Sequence, residues 1–243
     1  MGNTLANYDP FLVALSFAIS VLGSFAALRL ARVIPQQDRE DQLPWVLGAA
    51  FALGAGAIWS MHFIGMLAFD MGMPISYNIP LTAFSMVLAW GVAALGFYVV
   101  SRDSRSWARL ITAGVLAGSG VATMHYTGMA AMEMGATISY DPVLFGLSLV
   151  IAVVAATAAL WLAFNIRSNV QMVGASVVMG IAVCGMHYTG MAAARFEPMA
   201  NMTATDVMPL SNNFLAYAIF LFSLLVLGLG LAFGRDRSLE GTA

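Results

Sequence analysis

The chain has no lysine, one cysteine and three histidines among 243 residues, and charged side chains make up only 9% of it. A soluble globular domain carries about 25% charged residues. With 60% hydrophobic residues and a mean hydropathy of +0.85, the sequence is therefore that of an integral membrane protein. All ten basic residues are arginines, and no basic patch able to engage nucleic acid is present. Cys184 as the lone thiol excludes an intramolecular disulfide, and its place in an apolar run leaves the redox compartment unread. No acid–base dyad or nucleophile stands out within the apolar runs, which weighs against an enzyme.

What the chain has in abundance is apolar length. A membrane-crossing helix takes about 20 residues, and seven stretches qualify: Phe11–Ile34, Pro44–Phe69, Ile79–Val100, Ala108–Met132, Pro142–Ile166, Gln171–Ala194 and Asn212–Gly234. The fold class expected is an all-α membrane protein of seven transmembrane helices. The first run lacks a basic leader, and its arginines, Arg29 and Arg32, lie at its far end, so it is not a cleaved signal peptide. Arg29, Arg32, Arg39, Arg102, Arg105, Arg109, Arg167, Arg235 and Arg237 fall on one side of this topology, against Arg195 alone on the other. The positive-inside rule then puts the N-terminus outside and the C-terminus in the cytoplasm. In a bacterium this is the inner membrane, with the N-terminus periplasmic. The membrane domain spans residues 1–234, and 235–243 form a short cytoplasmic tail.

The three histidines all lie in one hexapeptide written three times: Met61-His62-Phe63-Ile64-Gly65-Met66, Met124-His125-Tyr126-Thr127-Gly128-Met129 and Met186-His187-Tyr188-Thr189-Gly190-Met191. His62, His125 and His187 are separated by 63 and then 62 residues, the mark of an internal repeat. The repeat extends further. Tyr8-Asp9-Pro10, Tyr77-Asn78-Ile79-Pro80 and Tyr140-Asp141-Pro142 open the odd-numbered helices, with Ser16, Ser85 and Ser148 following at matching depth. Met71–Tyr77 also matches Met134–Tyr140. The unit is a helical hairpin repeated in parallel, at about 8–70, 77–134 and 140–200, with the seventh helix at 212–234 starting a fourth. Parallel repeats imply pseudo-threefold packing, with the three histidines at one depth in the outer leaflet.

On a helix, residues i, i+3 and i+4 share a face. Each histidine therefore stands with its glycine and its second methionine: His62 with Met66, His125 with Met129, His187 with Met191. Small glycines let membrane helices approach closely, so three imidazoles and three thioethers converge on one point. Imidazole with thioether selects copper, whereas zinc sites normally leave methionine out. Haem between a histidine and a methionine is a further alternative. Additional ligand candidates are Met132 and Cys184, nearly in line with the histidines, and Met61, Met124 and Met186, about 100° around the helix. Tyr126 and Tyr188 stand next to the proposed ligands, either donating hydrogen bonds or serving as interfacial belt residues, while Phe63 has no hydroxyl for such a role. Asp70, Glu133 and Arg195, eight residues after each histidine, offer a carboxylate–arginine cluster over the outer mouth. The alternative to a metal is that each histidine simply hydrogen-bonds a neighbouring helix.

These motifs resemble the MHYT domain, a bacterial integral membrane module named for the tetrapeptide at Met124–Thr127 and Met186–Thr189. The resemblance covers nearly the whole chain, with Phe63 and Ile64 departing in the first copy. It implies copper bound by the motif residues near the outer face and used to sense oxygen, carbon monoxide or nitric oxide, and it implies a cytoplasmic signalling partner or a C-terminal output domain that this chain lacks. Besides a sensor of gas or of copper itself, two other functions fit the residues. One is a membrane copper enzyme or electron-transfer protein. The other is copper transport or delivery, to which the methionine-rich segments Met71–Met73 and Met199–Met208 point.

Overall fold

The computed structural model describes residues 8–73, 75–166, 168–198 and 212–233. Seven long helices carry the fold: α1 (Pro10–Ala31), α2 (Gln42–Leu67), α3 (Ile79–Ser101), α4 (Trp107–Ala130), α5 (Pro142–Asn165), α6 (Asn169–Ala193) and α7 (Asn212–Phe233). Five, α1, α2, α3, α5 and α6, are long and apolar enough to cross a membrane. The 24-residue α4 has the length but is diluted by glycine, serine, threonine and histidine. The described part of α7 holds an apolar core at Tyr217–Val226.

Local chemistry starts these helices in two ways. At the end of the bundle bearing Tyr8, Tyr77 and Tyr140, the odd helices begin with an Asx N-cap and a proline in the first turn. The Asp9 carboxylate accepts from the N–H groups of Phe11 and Leu12, the Asn78 amide oxygen from that of Leu81, and the Asp141 carboxylate from those of Val143 and Leu144. At the opposite, arginine-bearing end, Ser106 caps α4, and Ser168 caps α6 in a reciprocal box with Gln171.

The tyrosine end is closed by short antiparallel pairings. Tyr8 bridges Phe69, β1 (Ser76–Tyr77) pairs with β2 (Met132–Glu133), and β3 (Ala136–Tyr140) pairs with β4 (Ala194–Pro198). Three equivalent bonds repeat, from Asp9 N–H to the Ala68 carbonyl at 2.7 Å, Asn78 N–H to Ala131 at 2.8 Å and Asp141 N–H to Ala193 at 2.8 Å. Each hairpin, α1–α2, α3–α4 and α5–α6, is thereby tied at its own open end.

The six helices form a ring in which each even helix packs on the next odd one, with α6 closing on α1, while α7 lies outside against α1 and α2. Glycine allows the close approaches: an added Cβ at Gly54 would strike the Ala89 backbone, one at Gly118 the backbone of Ala152 and Val153, one at Gly180 the Val21 side chain. Gly118 and Gly180 each stand seven residues before their histidine, whereas Gly54 stands eight before His62. The extra residue is absorbed by a π-helical stretch, Ala52–Trp59, within α2. Wider i→i+5 turns take up one more residue per turn, so Gly54 and His62 both keep faces equivalent to those of their counterparts.

Candidate metal centre

The three motifs meet on the pseudo-threefold axis. His62, His125 and His187 are each only 1% exposed. His62 Nδ1 lies 3.0 Å from His187 Nδ1 and 3.0 Å from His125 Nδ1. The rings stand edge to face at centroid separations of 4.7, 5.1 and 5.2 Å. Each offers a ring nitrogen within 4.8 Å of the other two, and among the described residues this is the one group of histidine, cysteine and carboxylate donors close enough to share an ion.

The far nitrogens follow a cyclic rule. A Cβ at Gly128 would run into His62 Nε2, one at Gly190 into His125 Nε2, and one at Gly65 into His187 Nε2. The motif glycine is thus the seat of the imidazole from a neighbouring repeat. All three Nε2 atoms are buried without a hydrogen-bond partner.

This arrangement fits a metal. Three neutral imidazoles protonated at Nε2 would turn three Nδ1 lone pairs toward one another, an unfavourable meeting unless a cation sits among them. Nitrogens bound about 2.0–2.1 Å from one ion lie about 3.3–3.6 Å apart, close to the 3.0 Å seen for two of the pairs. Three imidazole donors would leave room for a further ligand on such an ion.

The residue after each histidine packs on its ring, with centroids 4.9 Å apart for Phe63, 4.8 Å for Tyr126 and 4.8 Å for Tyr188. The tyrosines are held by the repeat's serines: Tyr126 Oη lies 2.7 Å from Ser148 Oγ, and Tyr188 Oη 3.1 Å from Ser16 Oγ. Phe63 has no hydroxyl, and Trp59 replaces it, its Nε1–H donating to Ser85 Oγ at 3.0 Å. All three serines are fully buried. Tyr126 and Tyr188 thus each join a histidine ring to a buried serine of the following repeat.

The methionines divide into groups. Met61, Met124 and Met186 are buried and share the wall of a cavity of about 60 Å³ with the three histidines. Met66, Met129 and Met191 are also buried, but none of them lines this cavity. Met132 is not on the motif helix: α4 stops at Ala130, and Met132 is in strand β2, packing with Met71, Met73 and Met134. The helical stripe expected from its spacing therefore ends before it. Cys184 is half-buried on α6 and outside the histidine group. Met199, Met202 and Met208 lie outside the described residues.

No carboxylate–arginine cluster forms over the mouth, because each of the three residues is satisfied locally. Asp70 accepts from Gly72 N–H, Glu133 from Asn78 Nδ2 and Ser76 Oγ, and Arg195 pairs with Asp141 at 2.7 Å. The backbone N–H groups of Leu144 and Val143, with Arg195 beside them, hold the Asp141 carboxyl below its ordinary value. Burial pushes the Tyr140 hydroxyl up to about 12, with Tyr126 adding to the shift.

A symmetric membrane bundle with one buried histidine centre defines a class, and comparison with known proteins gives it a family. The chain belongs to the MHYT family, the bacterial signalling protein N-terminal repeat, whose pattern matches residues 56–113, 118–176 and 180–242. Each matched segment takes in one motif and the odd-numbered helix after it, or α7 in the third. The chain is 42% identical over 232 residues to the bifunctional diguanylate cyclase/cyclic di-GMP phosphodiesterase MucR of Pseudomonas aeruginosa, covering 93% of this chain and 34% of that protein. It is 37% identical to the cyclic di-GMP phosphodiesterase NbdA of the same organism, over 79% of this chain and 25% of that protein. With the signaling protein YkoW of Bacillus subtilis the identity is 36%, over 78% and 24%. The chain thus spans about a third or less of the length of these curated relatives. No solved structure matches it.

Proposed function

We propose that this chain is the membrane sensor module of a bacterial signalling system, non-enzymatic in itself, whose histidine triad holds a copper ion. The observation that carries this reading is the convergence of one imidazole from each repeat in a buried site, with His62 Nδ1 3.0 Å from the Nδ1 atoms of both His125 and His187. Three nitrogen donors alone suit zinc as well as copper. The thioethers of Met61, Met124 and Met186 around the same cavity favour the softer Cu(I). When bound, copper supplies an open position for a diatomic ligand such as oxygen, carbon monoxide or nitric oxide. The chain's own residues exclude water, fix the three rings against Gly65, Gly128 and Gly190, and brace them through the serine contacts.

The nine arginines on one side put the tyrosine end at the periplasmic face of the inner membrane. The signal passes to a cytoplasmic output, a reading supported by MucR, a diguanylate cyclase/cyclic di-GMP phosphodiesterase, and NbdA, a cyclic di-GMP phosphodiesterase, which share this region. A ligand transmits only if it binds two arrangements of the bundle with different affinity, and α7, seated on α1 and α2, is the element placed to report such a change.

Metal analysis of detergent-purified protein tests the proposal. Copper is expected in the wild type and lost in His62→Ala, His125→Ala and His187→Ala. Copper retained in all three variants would overturn it. Optical spectra of the loaded protein with nitric oxide, carbon monoxide or oxygen then test the stimulus.

A further inference from the structure

The cavity beside the triad has a direction. Its lining residues on α2, α4 and α6 are the histidines themselves or residues before them: Met61, Met124 and Met186 one position back, and Ile58, Val121 and Val183 one turn back. These helices run toward the tyrosine end, so the cavity lies on the arginine side of the triad, deeper in the bilayer. On the other side the helices continue into Met66, Met129 and Met191, none more than 2% exposed, and then into the strand pairings. The aqueous face nearest the histidines is therefore the closed one.

Most of the remaining wall is α5, which contributes Ala152, Ala155, Ala156, Ala159 and Leu160, with Ala93 of α3 beside them. Of the five helices long and apolar enough to cross a membrane, α5 is the least covered by protein, with 17% of its most apolar window buried. Ala155, Ala156 and Ala159 are only partly buried, so a thin layer of methyl groups separates the space from the hydrocarbon. A water needs about 10–15 Å³ of such volume and several polar partners, and apolar cavities stay dry and take up xenon or small hydrocarbons. At about 60 Å³, with carbon and sulfur on most of its surface, this one suits an uncharged object of a few heavy atoms.

We propose that this cavity is a binding chamber for a small uncharged apolar molecule, filled sideways from the lipid through the alanine face of α5, and that it delivers its occupant to the histidine triad from the arginine side. The chamber deepens the sensor reading and rests on it only for the last step, contact with the metal. Small apolar molecules concentrate in hydrocarbon, so lateral entry needs no aqueous channel.

Crystals of the protein pressurised with xenon read the chamber directly. One xenon position is expected between the histidine rings and α5, lost in Ala155→Leu and Ala156→Leu and kept in Val154→Leu, a substitution on the lipid side of the same helix. Should a leucine variant fail to fold, Ala155→Val and Ala156→Val supply smaller steps with the same readout. Copper content, measured on the same samples, is expected to be unchanged by filling. Xenon absent from the wild type, or kept in every filled variant, overturns the chamber even if copper is bound. Xenon present and lost on filling, with no copper in any sample, leaves the chamber standing and removes the metal reading.

Discussion

Repeat one and its two sisters hold the same histidine triangle by different means. Repeats two and three use a serine-capped motif helix, seven residues from packing glycine to histidine, and a tyrosine bonded to a buried serine. Repeat one has no side-chain cap on α2, spaces Gly54 and His62 by eight residues across a π stretch, and bonds the serine of the next repeat, Ser85, through Trp59 rather than a tyrosine. The outer faces differ as well. Six residues before the histidine stand Gly56, Ser119 and Ile181. Gly56 is buried where α7 seats Val226 against it, whereas Ser119 is exposed and Ile181 is 58% exposed. The invariant part of the architecture is thus small, the histidine, the glycine and the two methionines of each motif with one buried serine per repeat. Repeat one has been remodelled where the extra helix docks, and Phe51, Trp59 and Phe222 fill that contact.

The largest effect is expected at the shared axis. Gly65→Val, Gly128→Val and Gly190→Val each drive a side chain into a buried imidazole, and overpacking costs about 1–3 kcal/mol or more. Copper loss with a lowered midpoint in detergent melting is expected for all three, and one silent variant would break the symmetry. Next is the α7 seat. Gly56→Leu is expected to destabilise by about 1–3 kcal/mol, while Ser119→Leu, at the equivalent exposed position, stays within about 0.5 kcal/mol. Equal effects would mean that α7 does not distinguish the repeats. Smaller still are the braces: Ser85→Ala, Ser148→Ala and Ser16→Ala, which remove the partners of Trp59, Tyr126 and Tyr188, should each cost about 0.6 kcal/mol, as membrane side-chain hydrogen bonds do. A matched loss in all three would establish Trp59 as a substitute for the missing hydroxyl.

The smallest concerns the rim, where repeat three has an Asp–Arg pair, Asp141 with Arg195. Asp141 titrates below its ordinary value of 3.8 in the folded protein, chiefly through the Leu144 N–H. Its contribution is therefore present above that value and lost as the pH falls through the folded one. Melting of Asp141→Asn should respond less to acid below about pH 4 than the wild type, and an unchanged acid response would remove the Asp141 contacts as its source.

The fold was legible because apolar runs and arginine placement are one-dimensional signals, and tripling of a hexapeptide is stronger than any single motif. The histidine triangle followed from register alone. Which methionines accompany it did not, because face-sharing at i+4 ignores side-chain direction. A helical side chain leans back over the turn before it, so the space beside each imidazole belongs to residues such as Met61 and Ile58 rather than Met66. Met132 was misplaced for a different reason, since nothing local marks the switch from helix to strand after Ala130. The π stretch did leave a trace, the eight-residue interval from Gly54 to His62, which only comparison with the other two repeats brings out.

Each imidazole is seated on the glycine of another repeat, in the closed order α2 to α4 to α6 and back, so the place of every ring is set by a helix other than its own. The three motif helices are thereby interlocked end to end, and one of them, α2, is also the helix on which α7 rests.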